Sequence, residues 1–219
     1  MAFDYSSISI SGHHGQPVPN TFIKQKGKTD HLALLFPGLH YSADMPVLYY
    51  PGRILLEREA DLLQVETTYN RQPGFSALSD ADQVAWLHAD AAAALESPLA
   101  QRPYQRITLV GKSIGTLAMG ELVHSDERLV KAGCIWLTPL LTNPRLVEQI
   151  EQGGQCGLFV TGTLDPYYQP QRLNQVVKVT CSSSLVIAGA DHSLEVPGNI
   201  WATLTALNEL MRSVNEFID

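Results

Sequence analysis

The chain has no apolar stretch near the ~20 residues that a membrane-spanning helix requires. Asp4, Ser6, Ser7 and Ser9 interrupt the apolar residues after Met1, so no secretory leader is read there and a cytoplasmic location is expected. Dense Lys/Arg clusters are missing as well. With 15 Lys plus Arg against 22 Asp plus Glu, a net charge of −7, neither nucleic acid nor membrane is an expected partner, because anionic surfaces are held by basic patches. Cysteine is scarce: Cys134, Cys156 and Cys181 are odd in number, far apart and without a C-x-x-C. That excludes a disulfide or zinc framework and fits a reducing compartment, with each thiol expected to be a small core hydrophobe. Repeats, low-complexity tracts and Pro/Gly/Ser-rich linkers are also absent, which leaves one domain over residues 1–219.

What the chain does have is apolar residues, 45% of the total, enough for one sizeable core. Short apolar runs at residues 32–36, 62–69, 107–110, 134–137, 158–160 and 185–188 alternate with longer helical patterns. Most of these runs are apolar on both faces, as strands covered by helices on each side must be, so a mainly parallel sheet is expected. Residues 7–11 and 21–26 alternate polar and apolar and read as an antiparallel edge hairpin, giving an α/β fold with about eight strands. Ser79 with Asp82 three residues on is a capping box for a helix reaching about Glu96, where Pro98 is expected to stop it. Further helices are expected after Ser113 and over about 143–152, 170–176 and 197–217. In residues 45–58, Pro51-Gly52 interrupts the pattern and only the second half is expected to be helical.

Between the run Ile107-Thr108-Leu109-Val110 and the helix-prone Thr116-Leu117-Ala118-Met119 lies Gly111-Lys112-Ser113-Ile114-Gly115. Strand, G-x-S-x-G turn and helix together describe a nucleophile elbow, in which the central serine is pushed into strained backbone space and flanking glycines keep Cβ atoms out of the crossing. In an open parallel sheet, function gathers at the carboxyl ends of the strands. Four polar loops leave that edge here: Pro37-Gly38-Leu39-His40, the turn at Ser113, Thr161-Gly162-Thr163-Leu164-Asp165, and Gly189-Ala190-Asp191-His192. They supply a nucleophile, an acid and a base in the chain order Ser, Asp, His.

On these residues the chain resembles the α/β-hydrolase superfamily, from the loop after Phe36 to the helix after His192. Gly-Lys-Ser-Ile-Gly, with Asp-His-Ser-Leu-Glu around the histidine, is similar to a small uncapped subgroup, one member of which sits in a chromatin-associated complex. The resemblance implies a sheet with helices on both faces and no cap domain. It implies Ser113 as nucleophile, His192 as base and Asp165 as the acid that orients it, with oxyanion donors at the backbone N–H of Ile114 and Leu39. Asp191, next to His192, is the weaker choice of acid, because neighbours on a loop seldom face one another. Many members write His-Gly where this chain has Pro37-Gly38. Lys112 stands where histidine is common; a solvent-facing ammonium on a buried stem is the reading preferred to recognition of substrate charge.

Tyr41, Tyr167 and Tyr168 flank the same loops, where pocket walls and ordinary packing are equally good readings; His40, close to the oxyanion loop, reads equally as pocket lining or as a polar loop residue, and Lys112 is a further pocket-lining candidate. His13-His14 are read as surface in a Gly-bounded turn, without further ligands for a metal. No metal and no organic cofactor is expected. Residues 139–155, where capped relatives carry extra helices, hold one short helix, so an open site is expected. The expectation is a serine hydrolase acting on a small-molecule or acyl-bearing substrate, a small or exposed ester, thioester or lactone. The alternative is a non-catalytic hydrolase-fold binding or scaffold subunit. Nothing in the sequence fixes an oligomeric state.

Overall fold

The computed structural model describes residues 3–66 and 69–219. Among the described residues eight strands form one sheet: β1 (Phe3–Ser6), β2 (Asn20–Gln25), β3 (His31–Phe36), β4 (Asp61–Val65), β5 (Arg106–Lys112), β6 (Gly133–Leu137), β7 (Gly157–Gly162) and β8 (Ser183–Ile187). Their spatial order is β1-β2-β4-β3-β5-β6-β7-β8. β2 runs antiparallel to both β1 and β4, and every other pairing is parallel. Six helices among the described residues cover the sheet: α1 (Pro46–Glu57), α2 (Asp80–Leu99), α3 (Ile114–Ser125), α4 (Pro144–Gly153), α5 (Pro170–Val179) and α6 (Ile200–Ile218).

The continuous apolar runs are explained by two buried faces. Leu32, Leu34, Leu109, Cys134, Trp136 and Phe159 pack with residues of α2 to α5 such as Ala91, Met119, Ile150 and Val176. The residues between them, Ala33, Leu35, Val110, Ile135, Leu158 and Val160, pack with Leu48 and Leu55 of α1 and Leu210 and Val214 of α6. A strand period of two therefore sorts one unbroken run into two cores.

Several expectations about elements need correction. α1 runs straight through Pro51. Positions 47, 48, 51, 52, 55 and 56 are all buried and fall on one helical face on both sides of the proline. A proline in a helix interior costs about 3 kcal/mol. Burying four aliphatic side chains, Val47, Leu48, Leu55 and Leu56, returns about 1.5–3 kcal/mol each, so packing wins. α2 likewise continues past Glu96 and ends at Leu99 with Pro98 inside its last turn, where Ser97 Oγ donates to Ala93 O at 2.9 Å and Pro98 O accepts from the amides of Gln101 and Arg102. Its start is as read: Ser79 Oγ accepts from Asp82 N at 3.2 Å. α5 is three residues longer than expected, and α6 starts at Ile200, where Asn199 Oδ1 accepts from Ala202 N.

The outer edge strand is residues 3–6, not 7–11. Phe3–Ser6 takes the ladder positions opposite Phe22 to Gln25, and the chain then leaves the sheet. Buried Asn20 holds the departing segment through its side chain, accepting from Ile8 N at 3.1 Å and donating to Ile8 O at 2.8 Å. β4 closes at Val65; residues 67 and 68 of the expected run lie outside the described residues, and Tyr69–Arg71 is a 3-10 turn. β8 spans Ser183–Ile187, two residues ahead of the expected start, in register with β7.

Only Cys134 is a core residue; Cys156 and Cys181 are exposed at the amino ends of β7 and β8, where the strands emerge from turns. His14 is exposed, but His13 is half-buried, stacked on Trp86 at 4.6 Å, and its amide donates to Asp90 Oδ1. Among the described residues no helix is long and apolar enough to cross a membrane.

Candidate active site

The end of β5 turns into α3 at Ser113, whose φ of 54° and ψ of −121° are strained for a residue with a Cβ. Two glycines make the turn passable. A Cβ on Gly111 would lie 2.4 Å from Met119 Sδ, and one on Gly115 would lie 2.2 Å from Phe36 O. No side chain fits where β3, β5 and α3 cross this closely. Ser113 N donates to Leu137 O, and Ser113 O accepts from Thr116 N and Thr116 Oγ1, which fixes the turn on both sides.

Ser113 Oγ is 2.8 Å from His192 Nε2, and His192 Nδ1 is 2.9 Å from Asp165 Oδ2. A carboxylate only accepts, so Nδ1 carries the proton and Nε2 is left to accept from the serine hydroxyl. The carboxylate of Asp165 is fully buried and fixed from a second side, since Oδ1 accepts from Tyr167 N at 2.9 Å. Asp191 does not reach the ring. Its Oδ1 accepts from the amides of Ser193 and Glu195 and shapes the loop that carries His192.

Ser113 opens onto a groove of about 640 Å³ whose apolar lining includes Leu39, Leu87, Ile114, Leu117, Leu140 and Tyr167. The Tyr167 ring lies 5.0 Å from the His192 ring. Asp80, Gln83, Thr142 and Asn143 add a polar rim without a cation. Among the described residues, the amides of Leu39 and Ile114 donate to no protein acceptor. Gly38 presses close to the serine: a Cβ there would sit 3.4 Å from Ser113 Cβ and 3.1 Å from Tyr41 Cβ.

His40 and Tyr41 line a different cavity, of about 440 Å³, that shares only Leu39 with the groove. His40 Nδ1 accepts from Asn70 Nδ2 there. Tyr41 is buried, and its hydroxyl accepts from Val47 N; burial pushes the phenol up to about 12. Tyr168 packs against the core on the α2 to α5 face.

Lys112 is neither solvent-facing nor a pocket wall. It is 2% exposed, because the strand period sends it after Val110 onto the face covered by α1 and α6, away from the groove. Its ammonium donates to His192 O at 2.9 Å and Thr138 Oγ1 at 3.1 Å and lies 4.6 Å from the centre of the Tyr41 ring. Burial pulls it down to about 8, against the charges of Asp165 and Asp191, which favour the protonated form. Thr138, buried and at φ 45° just past β6, is the site residue that sequence reasoning missed. Its one signal was its place at the carboxyl edge of a strand.

No protein-family model and no curated protein sequence matches the chain. Solved structures do. A protein of unknown function from Agrobacterium tumefaciens, placed with the α/β hydrolases, superposes with a TM-score of 0.75 at 17% identity, covering 98% of this chain and 95% of its own. A serine hydrolase without a lid from Xanthomonas campestris gives 0.69 at 17% identity, covering 98% and 94%. Est1E from Butyrivibrio proteoclasticus, with ferulic acid bound, gives 0.71 at 12% identity, covering 96% and 97%. The fold is that of the α/β hydrolases. In this α/β-hydrolase frame, residues 139–155 carry α4 and no second helix, so nothing roofs the groove from that segment. Ser113, Asp165 and His192 all stand beyond the carboxyl ends of α/β-hydrolase sheet strands, β5, β7 and β8.

Proposed function

We propose that the protein is a serine hydrolase that cleaves a small or exposed ester, thioester or lactone through an acyl-enzyme. The observation that carries this reading is the unbroken chain of hydrogen bonds from buried Asp165 through His192 to Ser113, ending in an open groove with apolar and polar walls. His192 Nε2 takes the hydroxyl proton as Ser113 Oγ attacks the acyl carbon. The carbonyl electrons move onto oxygen, and the free amides of Ile114 and Leu39 are the donors that receive this oxyanion. Collapse expels the leaving group, which collects the proton from His192. Water then repeats the sequence, freeing the acid and restoring Ser113. Asp165 keeps the proton on Nδ1 and stabilises the imidazolium that forms midway. The turn Gly-Lys-Ser-Ile-Gly, which resembles that of small uncapped hydrolases, supports this reading.

Substrate size follows from the groove. Without a cap, and with an apolar floor ending in the polar rim of Asp80, Gln83 and Asn143, it suits short acyl or aromatic acyl groups better than long lipid chains. The lidless neighbour supports an open site of this kind. The test is hydrolysis of a p-nitrophenyl ester series from acetate to palmitate by wild type and Ser113→Ala. Turnover should favour the short esters and vanish in the variant. Turnover of palmitate alone, or equal turnover by Ser113→Ala, would overturn the proposal.

A further inference from the structure

Lys112 lies beneath the nucleophile, and four strand ends meet on its side chain. It closes β5, Thr138 follows β6, Tyr41 belongs to the loop after β3 that carries Leu39, and His192 belongs to the loop after β8. An ammonium has three N–H bonds, and each has a separate partner here: Thr138 Oγ1, His192 O and the face of the Tyr41 ring. Buried this deeply, an ammonium persists only where such partners replace water.

The contact to His192 is the informative one. Among the described residues, Lys112 Nζ is the one hydrogen-bond partner of the His192 main chain. The neighbouring residues are held separately, Ala190 O by Leu164 N and Asp191 by its turn to Glu195. The imidazole is fixed at its two ring nitrogens, and Lys112 fixes the backbone from which it hangs. The ring of Tyr41 sits on the same ammonium, and the Tyr41 amide and carbonyl pair with Gly38 beside the Leu39 donor.

We infer that Lys112 is a positioning residue of the hydrolase site, its buried ammonium locking the His192 backbone and the Leu39 loop in place around Ser113. The inference rests on the serine-hydrolase reading of the same site. Around the ammonium the ionisable groups are Tyr41 from the β3 loop, Asp165 from the β7 loop, and Asp191 and His192 from the β8 loop. The two carboxylates oppose the effect of burial and favour the charged form of the lysine. A charge that is itself enclosed by the base and its acid is thereby made part of the geometry of the site rather than of substrate binding.

The experiment measures the rate of Ser113 modification by a fluorophosphonate in wild type, Lys112→Met and Thr138→Val, separating the maximal inactivation rate from the half-saturating probe concentration. Methionine keeps the length of the stem and removes the donor. Because misplacement of a reacting group by about 1 Å costs about a hundredfold, the maximal rate should fall roughly tenfold to a hundredfold in Lys112→Met. Probe affinity should change less than about threefold, since Lys112 does not face the groove. Thr138→Val, which removes one of the three anchors, should show a smaller loss of rate. A maximal rate within about twofold of wild type in Lys112→Met overturns the inference, and if that variant does not fold, an unchanged rate in Thr138→Val overturns it. Wild type that fails to label sinks the serine-hydrolase reading instead. The positioning claim is then read by NMR from the downfield Nδ1 proton of His192: present in wild type and lost or shifted in the variants if it holds, unchanged if it does not.

Discussion

Replacing Asp165 by asparagine removes one proton-accepting group and changes nothing in volume, and the structure dictates how the new amide must sit. Oδ1 accepts from Tyr167 N at 2.9 Å, so the amide oxygen has to occupy that position; the opposite flip would set two donors against each other. The NH2 group is then at the Oδ2 position, 2.9 Å from His192 Nδ1. A donor there forces Nδ1 to accept, which moves the ring proton to Nε2, facing Ser113 Oγ. The base is present but in the wrong tautomer. A change of this kind in a serine triad lowers kcat by about 10⁴-fold, about 5.5 kcal/mol of barrier at about 1.4 kcal/mol per decade. The assay is steady-state hydrolysis of a short ester, with the thermal unfolding midpoint as the check that the variant is folded. Activity within about tenfold of wild type in folded Asp165→Asn would refute the reasoning, because it would mean that the tautomer is not set by this carboxylate.

Gly115→Ala would place a Cβ 2.2 Å from Phe36 O, a backbone atom that cannot yield, so thermal unfolding should show a loss of at least about 1–3 kcal/mol and labelling of Ser113 should slow. Asp61 is fully buried and accepts from Gln25 N, Arg102 Nη1 and Tyr104 OH, so urea unfolding of Asp61→Asn should reveal a loss of about 3–5 kcal/mol. His31, whose Nδ1 accepts from Arg106, is lowered to about 4 by burial and by that guanidinium. The unfolded chain therefore binds the proton first, and stability should decline as pH falls from about 6.5 to about 4, a decline that urea titrations should find reduced in His31→Gln. Leu140→Trp narrows the groove beside Ser113, and esters with larger acyl groups should lose kcat/KM more than acetate esters do.

Those parts of the fold that depend on local pattern were readable from the chain. Apolar runs such as residues 32–36 marked the central strands because burial on two faces demands it, and the polar loops after β5, β7 and β8 gave the order Ser113, Asp165, His192 that the geometry brings together. What escaped the reading depends on contacts distant in sequence. Pro51 stops a helix in isolation, but not one whose two halves share a buried face with β3 and β4. The alternation at residues 7–11 looked like a strand until Asn20 took the hydrogen bonds of Ile8 and left the ladder to residues 3–6. Lys112 is the plainest case. A lysine at a strand end is ordinarily solvated, and only the convergence of Thr138, Tyr41 and the His192 carbonyl from three other loops makes its burial tolerable. His40 and Tyr41 belong to the loop after β3, beside Ser113, yet they line a second cavity, because the chain turns back on itself between Gly38 and Tyr41.

The central claim is that Ser113 is a nucleophile activated by His192. Intact-protein mass spectrometry after treatment with a fluorophosphonate, followed by peptide mapping, measures this directly. One adduct per chain is expected, on Ser113, absent in Ser113→Ala and strongly slowed in Asp165→Asn. Folded protein that acquires no adduct, or one on another residue, would contradict it.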